Sequence, residues 1–134
     1  MRYAGVLMAF SGDYERGLEL IEKGMARNPH HPGWWHLGSV SALWSTGRNA
    51  EALIAVRKVD QPDNFWWHIW RAILAGETED FDTTAAALAD LERLYPGFTI
   101  STYHDEIAYW HVTPDFVERA VMALRAAGMP NLTD

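Results

Sequence analysis

Three prolines, Pro29, Pro62 and Pro96, close three similar stretches of this chain 33 and 34 residues apart. The tripeptide Trp-Trp-His keeps nearly the same stride, as Trp34-Trp35-His36 and, 32 residues later, as Trp66-Trp67-His68. A period of that length is the length of one helical hairpin, which can bury its apolar face only against its neighbours. The repeat therefore constrains the chain to an all-α stack of antiparallel hairpins. Such stacks present surfaces to other proteins and seldom perform chemistry.

Local signals agree with that period. Met1 to Phe10 reads as a helix broken at Gly12-Asp13, and Asp13 is a good N-cap for a second helix running to about Arg27. Leu18, Ile21 and Met25 share one face of it. Asn28 to Pro32 reads as a turn, because a residue preceding proline is pushed out of the α region. A third helix carries Trp34, Trp35, Leu37, Val40, Leu43 and Trp44 and stops near Gly47. Asn49 is expected to cap a fourth, Ala50 to about Val59. The fifth, Asn64 to Ala75, is apolar around most of its circumference, so it must be sandwiched between other elements. After an acidic loop from Glu77 to Asp82, a sixth helix of about Thr83 to Tyr95 turns Leu88, Leu91 and Leu94 inward.

Beyond Pro96-Gly97 the period fails. Thr99 to Thr102 is rich in β-branched residues and hydroxyls and is expected to be extended or a turn, followed by a short helix around Tyr103 to Trp110. The last helix has Thr113 as cap, Pro114 first, Asp115 in the positive first turn and Gly128 as its stop. Val117, Val121 and Leu124 form its apolar stripe.

Composition narrows the function classes. Of 134 residues, 49% are apolar, including seven tryptophans, which argues for a packed core and against disorder. Eleven basic against eighteen acidic side chains leave a net charge of −7. That balance disfavours nucleic acid and anionic membrane surfaces, both of which are bound through Lys and Arg. The chain has no cysteine, so disulfides, thiolate metal sites and a cysteine nucleophile are excluded. No apolar run has the length of a membrane span, and the first ten residues lack a small-x-small cleavage site. The expectation is a soluble, cytoplasmic protein.

Trp34-x2-Leu37-Gly38, Gly47 at the mid-turn, Ala52-x3-Val56 and the closing Pro62 resemble the tetratricopeptide-repeat (TPR) pattern. Gly17-x3-Ile21 with Pro29, and Trp66-x2-Ile69 with Thr84-x3-Leu88 and Pro96, extend the resemblance to three repeats over residues 1–97. The first repeat is entered inside its first helix. Gly17 and Gly24 stand where the family has alanines, a loss of roughly 1 kcal/mol of helix propensity each. On this resemblance residues 98–134 are the turn and capping helices of the same domain. More narrowly, Gly47-Arg48-Asn49-Ala50-Glu51-Ala52-Leu53, Tyr95-Pro96-Gly97-Phe98 and the ending Ala123 to Pro130 are similar to the C-terminal repeat region of bacterial class III adenylate/guanylate cyclases and related signalling regulators. Nothing resembles a cyclase catalytic core. That kinship implies a regulatory, self-associating tail.

The candidate site follows from the paired aromatics. On a first helix of a hairpin, one ring of each Trp-Trp pair turns to the core and the other to a groove. Trp35 and Trp67 are the groove candidates, with Ser39 and Arg71 one turn on along the same faces. The competing account is that all these rings pack between repeats. His30-His31-x4-His36 and His104 with His111 lack the spacing of a zinc signature, so no metal or other cofactor is expected. No nucleophile elbow, phosphate loop or calcium-loop spacing is present, and no enzyme activity is expected. The sequence thus points to a non-catalytic scaffold or adaptor that binds a partner protein or peptide segment in a groove. Self-association into a homodimer through the open repeat ends is one alternative, and a small-molecule or metal-binding helical domain another.

Overall fold

The computed structural model describes residues 14–28, 30, 31, 33, 35–110 and 112–131. The expected first helix, together with Pro29, Pro32, Trp34 and His111, lies outside them. Among the described residues the protein is all-helical, with seven α-helices, one 3-10 turn and no strand: α1 (Tyr14–Arg27), α2 (Trp35–Ser45), α3 (Asn49–Arg57), α4 (Phe65–Glu77), α5 (Phe81–Leu94), α6 (Ile100–Ile107), the 3-10 turn Ala108–Trp110, and α7 (Pro114–Ala127). No described helix is long and apolar enough to cross a membrane.

The chain divides into two compact units. One takes the residues up to Gln61 together with 110–112, and the other takes Pro62 to Tyr109 and Thr113 onward. In the first unit α2 packs on α1 and on α3. It is almost wholly buried from Trp35 to Trp44, His36 excepted, because Trp35, Leu37, Val40, Leu43 and Trp44 give it apolar faces on opposite sides. Its entry is tight. A Cβ on Gly33 would stand 1.9 Å from the Val59 carbonyl oxygen, so only glycine lets the chain pass there. Gly24, a weak helix former, has a packing reason too: a Cβ there would lie 3.2 Å from the Trp35 ring.

In the second unit α4 is the sandwiched helix, with α5 on one side and α7 on another. Gly76 lies within α4 and does not end it. A Cβ there would meet the Ala123 carbonyl oxygen at 2.5 Å, so α4 and α7 approach as closely as their backbones allow. Arg119 on α7 then reaches Glu77 with two parallel N–H···O bonds of 3.0 and 3.1 Å. The buried positions of α7 are Phe116, Ala120, Val121, Ala123 and Leu124, while Val117 is only half-buried. The stripe is thus rotated from the expected one by one residue at its start.

Helix starts in the second unit are capped in full. Asn64 Oδ1 accepts from the Trp66 amide, and Thr113 Oγ1 accepts from Phe116. Asp80 caps α5 by accepting from the amide and hydroxyl of Thr83, so that helix opens at Phe81, earlier than Thr83, and part of the acidic loop is its cap. Residues 100–102, expected to be extended, are helical. Thr99 and Thr102 form a reciprocal capping box, and the tail after α7 returns so that Pro130 and Asn131 carbonyls accept from Ile100 and Ser101 at 2.8 and 3.1 Å. Four amides that would be bare at a helix start are satisfied this way. In the first unit Asn49 does not cap α3. It is the first helical residue, and the cap position belongs to Arg48, which makes no side-chain cap bond.

Candidate functional site

Three helices of the first unit enclose a groove of about 300 Å³. Its walls are α1, through Leu18, Glu22 and Met25, and α3, through Glu51, Ile54, Ala55 and Lys58. The floor is α2, through His36, Ser39 and Leu43, which fall three and four residues apart on one face. Of the expected groove residues Trp35, Ser39, Trp67 and Arg71, only Ser39 lines this one.

Chemically the groove is mixed, with Leu18, Met25, Leu43, Ile54 and Ala55 interleaved with Glu22, His36, Ser39, Glu51 and Lys58. Ile54, on the rim, is 54% exposed. The short connections place the start of α2 beside the end of α3, so His36 and Lys58 share one end, and Glu51 marks the other. Burial, then the neighbouring His31 and Lys58, hold the His36 imidazole below its ordinary value of 6.5. On the floor Ser39 is 5% exposed, and its buried hydroxyl has no hydrogen-bond partner. A buried donor left bare costs about 1–3 kcal/mol. Sequence reasoning singled out Ser39 but missed Leu18, Met25 and Ile54. Their signal was present, since Leu18 and Met25 lie seven residues apart on one face of α1.

Trp35 does not enter this groove. It is 4% exposed, packs against Gly24, and borders a separate cleft on the basic side of α1 formed by Arg16, Lys23 and Arg27. The His31 ring stacks on it, with centroids 5.6 Å apart. His31 Nδ1 lies 2.8 Å from the Asn28 carbonyl oxygen, which can only accept, so Nδ1 carries the proton and Nε2 is left as an acceptor. That Nε2 faces His36 Nε2 at 3.3 Å.

Trp67 and Arg71 are brought together in the second unit, with the guanidinium 5.4 Å from the Trp67 ring centroid. Arg71 is nevertheless committed. Its Nη1 donates to Asp90 at 3.1 Å and to His68 Nδ1 at 2.8 Å. His68 in turn donates from Nε2 to the Pro62 carbonyl at 2.7 Å, which fixes the neutral tautomer whose Nδ1 accepts from Arg71. The network clasps α4 to α5 through Nη1 of Arg71. Among the described residues no group of three or more His, Asp or Glu side chains could hold a metal ion. No known protein-family model, no curated protein and no solved structure matches the chain.

Proposed function

We propose that this protein is a non-catalytic interaction module, a TPR-like array of antiparallel helical hairpins closed by α7 as a capping helix, which receives a partner protein segment in the groove between α1 and α3. The observation that carries this reading is the Ser39 hydroxyl, covered and without a partner on the floor of a trough that sets Leu18, Met25, Leu43, Ile54 and Ala55 beside Glu22, His36, Glu51 and Lys58, so that a small side-chain shift on binding would open it to a partner. An incoming segment that supplies one polar group at that point would relieve its cost, while Leu18, Met25, Leu43 and Ile54 would hold the segment's apolar side. A short amphipathic helix fits such a site. Its C-terminal end, negative from the helix dipole, belongs at the Lys58 end.

The test is selection of short helical peptides from a displayed library on the intact chain, followed by amide chemical-shift mapping. Selected peptides are expected to perturb α1, α2 and α3 around the groove, and Ile54→Glu is expected to abolish capture without loss of helicity. Peptides that bind Ile54→Glu unchanged, or that perturb only the Trp67–Arg71 face, overturn the reading.

A further inference from the structure

We propose that His31 and His36 form a two-imidazole site for a divalent ion of tetrahedral preference, zinc being the type. The first ground is a distance. Two zinc–nitrogen bonds of about 2.0–2.1 Å opened to the tetrahedral angle place the nitrogens about 3.3–3.4 Å apart. The two Nε2 atoms stand 3.3 Å apart.

The second ground is orientation. A metal-binding imidazole characteristically donates its other ring N–H to a carbonyl or carboxylate, which fixes the tautomer and aims the lone pair. His31 has that arrangement: Nδ1–H is held by the Asn28 carbonyl at 2.8 Å, the ring is steadied by stacking on Trp35, and the free Nε2 points at His36. Without an ion the His36 Nε2–H donates across the gap. On binding, His36 moves that proton to Nδ1, so both rings stay neutral and both offer a lone pair.

The remaining coordination positions go to solvent, since no third His, Asp or Glu completes the cluster among the described residues. Lys58 acts against the site, because its ammonium couples repulsively to a charge at His36. The ion would tie the Asn28–Gly33 turn to the first turn of α2. His36 also lines the groove, so an ion there would sit at its cationic end.

Titration of the intact chain with Zn²⁺ alone is expected to show one ion bound, and Co²⁺ in its place is expected to give the intense visible absorption of tetrahedral coordination. His31→Gln and His36→Gln should each weaken binding by about tenfold or more, at least the loss seen when only an outer-shell partner is removed. Lys58→Gln should tighten it, an effect that a purely structural role for the histidines would not produce. His104→Gln, on the exposed face of α6, is the control and should change nothing. If His31→Gln fails to fold, His36→Gln decides alone, since glutamine can still donate to His31. Undiminished Zn²⁺ binding in His36→Gln, no binding to the wild type, or an octahedral Co²⁺ spectrum overturns the proposal. Ser39→Ala separates the two readings, because it should alter peptide capture and leave the ion in place.

Discussion

In the second unit all four helices begin on a side-chain cap, Asn64, Asp80, Thr99 and Thr113, whereas in the first α3 begins at Arg48 with none. Among the described residues, the two buried hydroxyls without partners, Ser39 and Ser45, also fall in the first unit. Both units are built around one sandwiched helix bearing a Trp-Trp-His start, so the contrast is not one of architecture. It lies in how polar groups are treated at equivalent positions. Trp35 and Ser39 lie 32 residues before Trp67 and Arg71, on the same helical face. In the first unit that face is buried and its hydroxyl is left bare. In the second it is half-exposed, and Arg71 donates from Nη1 to Asp90 and His68. On the proposed reading, an unsatisfied polar group marks the side that receives a partner, and Ser39 puts that side in the first unit.

The strongest way to break the comparison is at the two close backbone approaches. Gly76→Ala forces a methyl to within 2.5 Å of the Ala123 carbonyl, and Gly33→Ala to within 1.9 Å of Val59. Overpacking of this kind should cost about 3 kcal/mol in each case. Urea unfolding should show the loss, and hydrogen exchange should show it first in amides of the unit that hosts the change. Wild-type stability for either variant would mean that these contacts are looser than described.

Arg71→Ala is expected to be next in size. It removes an ion pair and a ring contact and leaves the His68 Nδ1 lone pair, in a side chain 1% exposed, without its donor. The cost should be about 2 kcal/mol by thermal or denaturant unfolding, with peptide capture by the groove unchanged. Loss of capture at intact stability would return the binding role to the second unit.

Much of this was legible in the sequence, and the exceptions share a cause. The order of the described helices, the sandwiched character of residues 64–75 and the Thr113-Pro114 start with its Gly128 stop all rest on local rules that act within a few residues. Thr99–Thr102 misled because β-branched composition favours strand, while the capping box and the returning Pro130 and Asn131 carbonyls decide for helix. Asn49 has the right chemistry for a cap, yet the chain turns one residue earlier, at Arg48. The fates of Trp35 and Trp67 could not be separated from one helix alone. What differs is across the interface: a glycine on α1 opposite Trp35, and Asp90 on α5 within reach of the Arg71 guanidinium that lies over Trp67. The groove was legible only in part, since Ser39 was visible but its walls come from helices on either side.

Ser39→Ala sharpens the comparison most directly, because its two effects have opposite sign. Removing a bare buried hydroxyl should stabilise the protein by about 1 kcal/mol. The same change should weaken a selected groove peptide, since the segment's polar group then meets a methyl. Stability gained with affinity retained would show that the hydroxyl is a packing defect unrelated to binding.

The smallest effect is expected at the uncapped start of α3. Arg48→Asn supplies the missing acceptor, which is typically worth about 1 kcal/mol. It also removes the Arg48–Glu51 pair, whose side chains are about half exposed and which offsets part of that gain. Arg48→Ala loses the same pair, so the difference between the two variants in denaturant midpoint isolates the cap. Arg48 carries backbone angles of −93° and 59°, outside the extended region that most N-caps adopt. If Arg48→Asn is no more stable than Arg48→Ala, that backbone does not allow the side chain to reach the second or third amide. The first unit would then lack a cap because its turn is held in an unsuitable conformation, and not because arginine occupies the position.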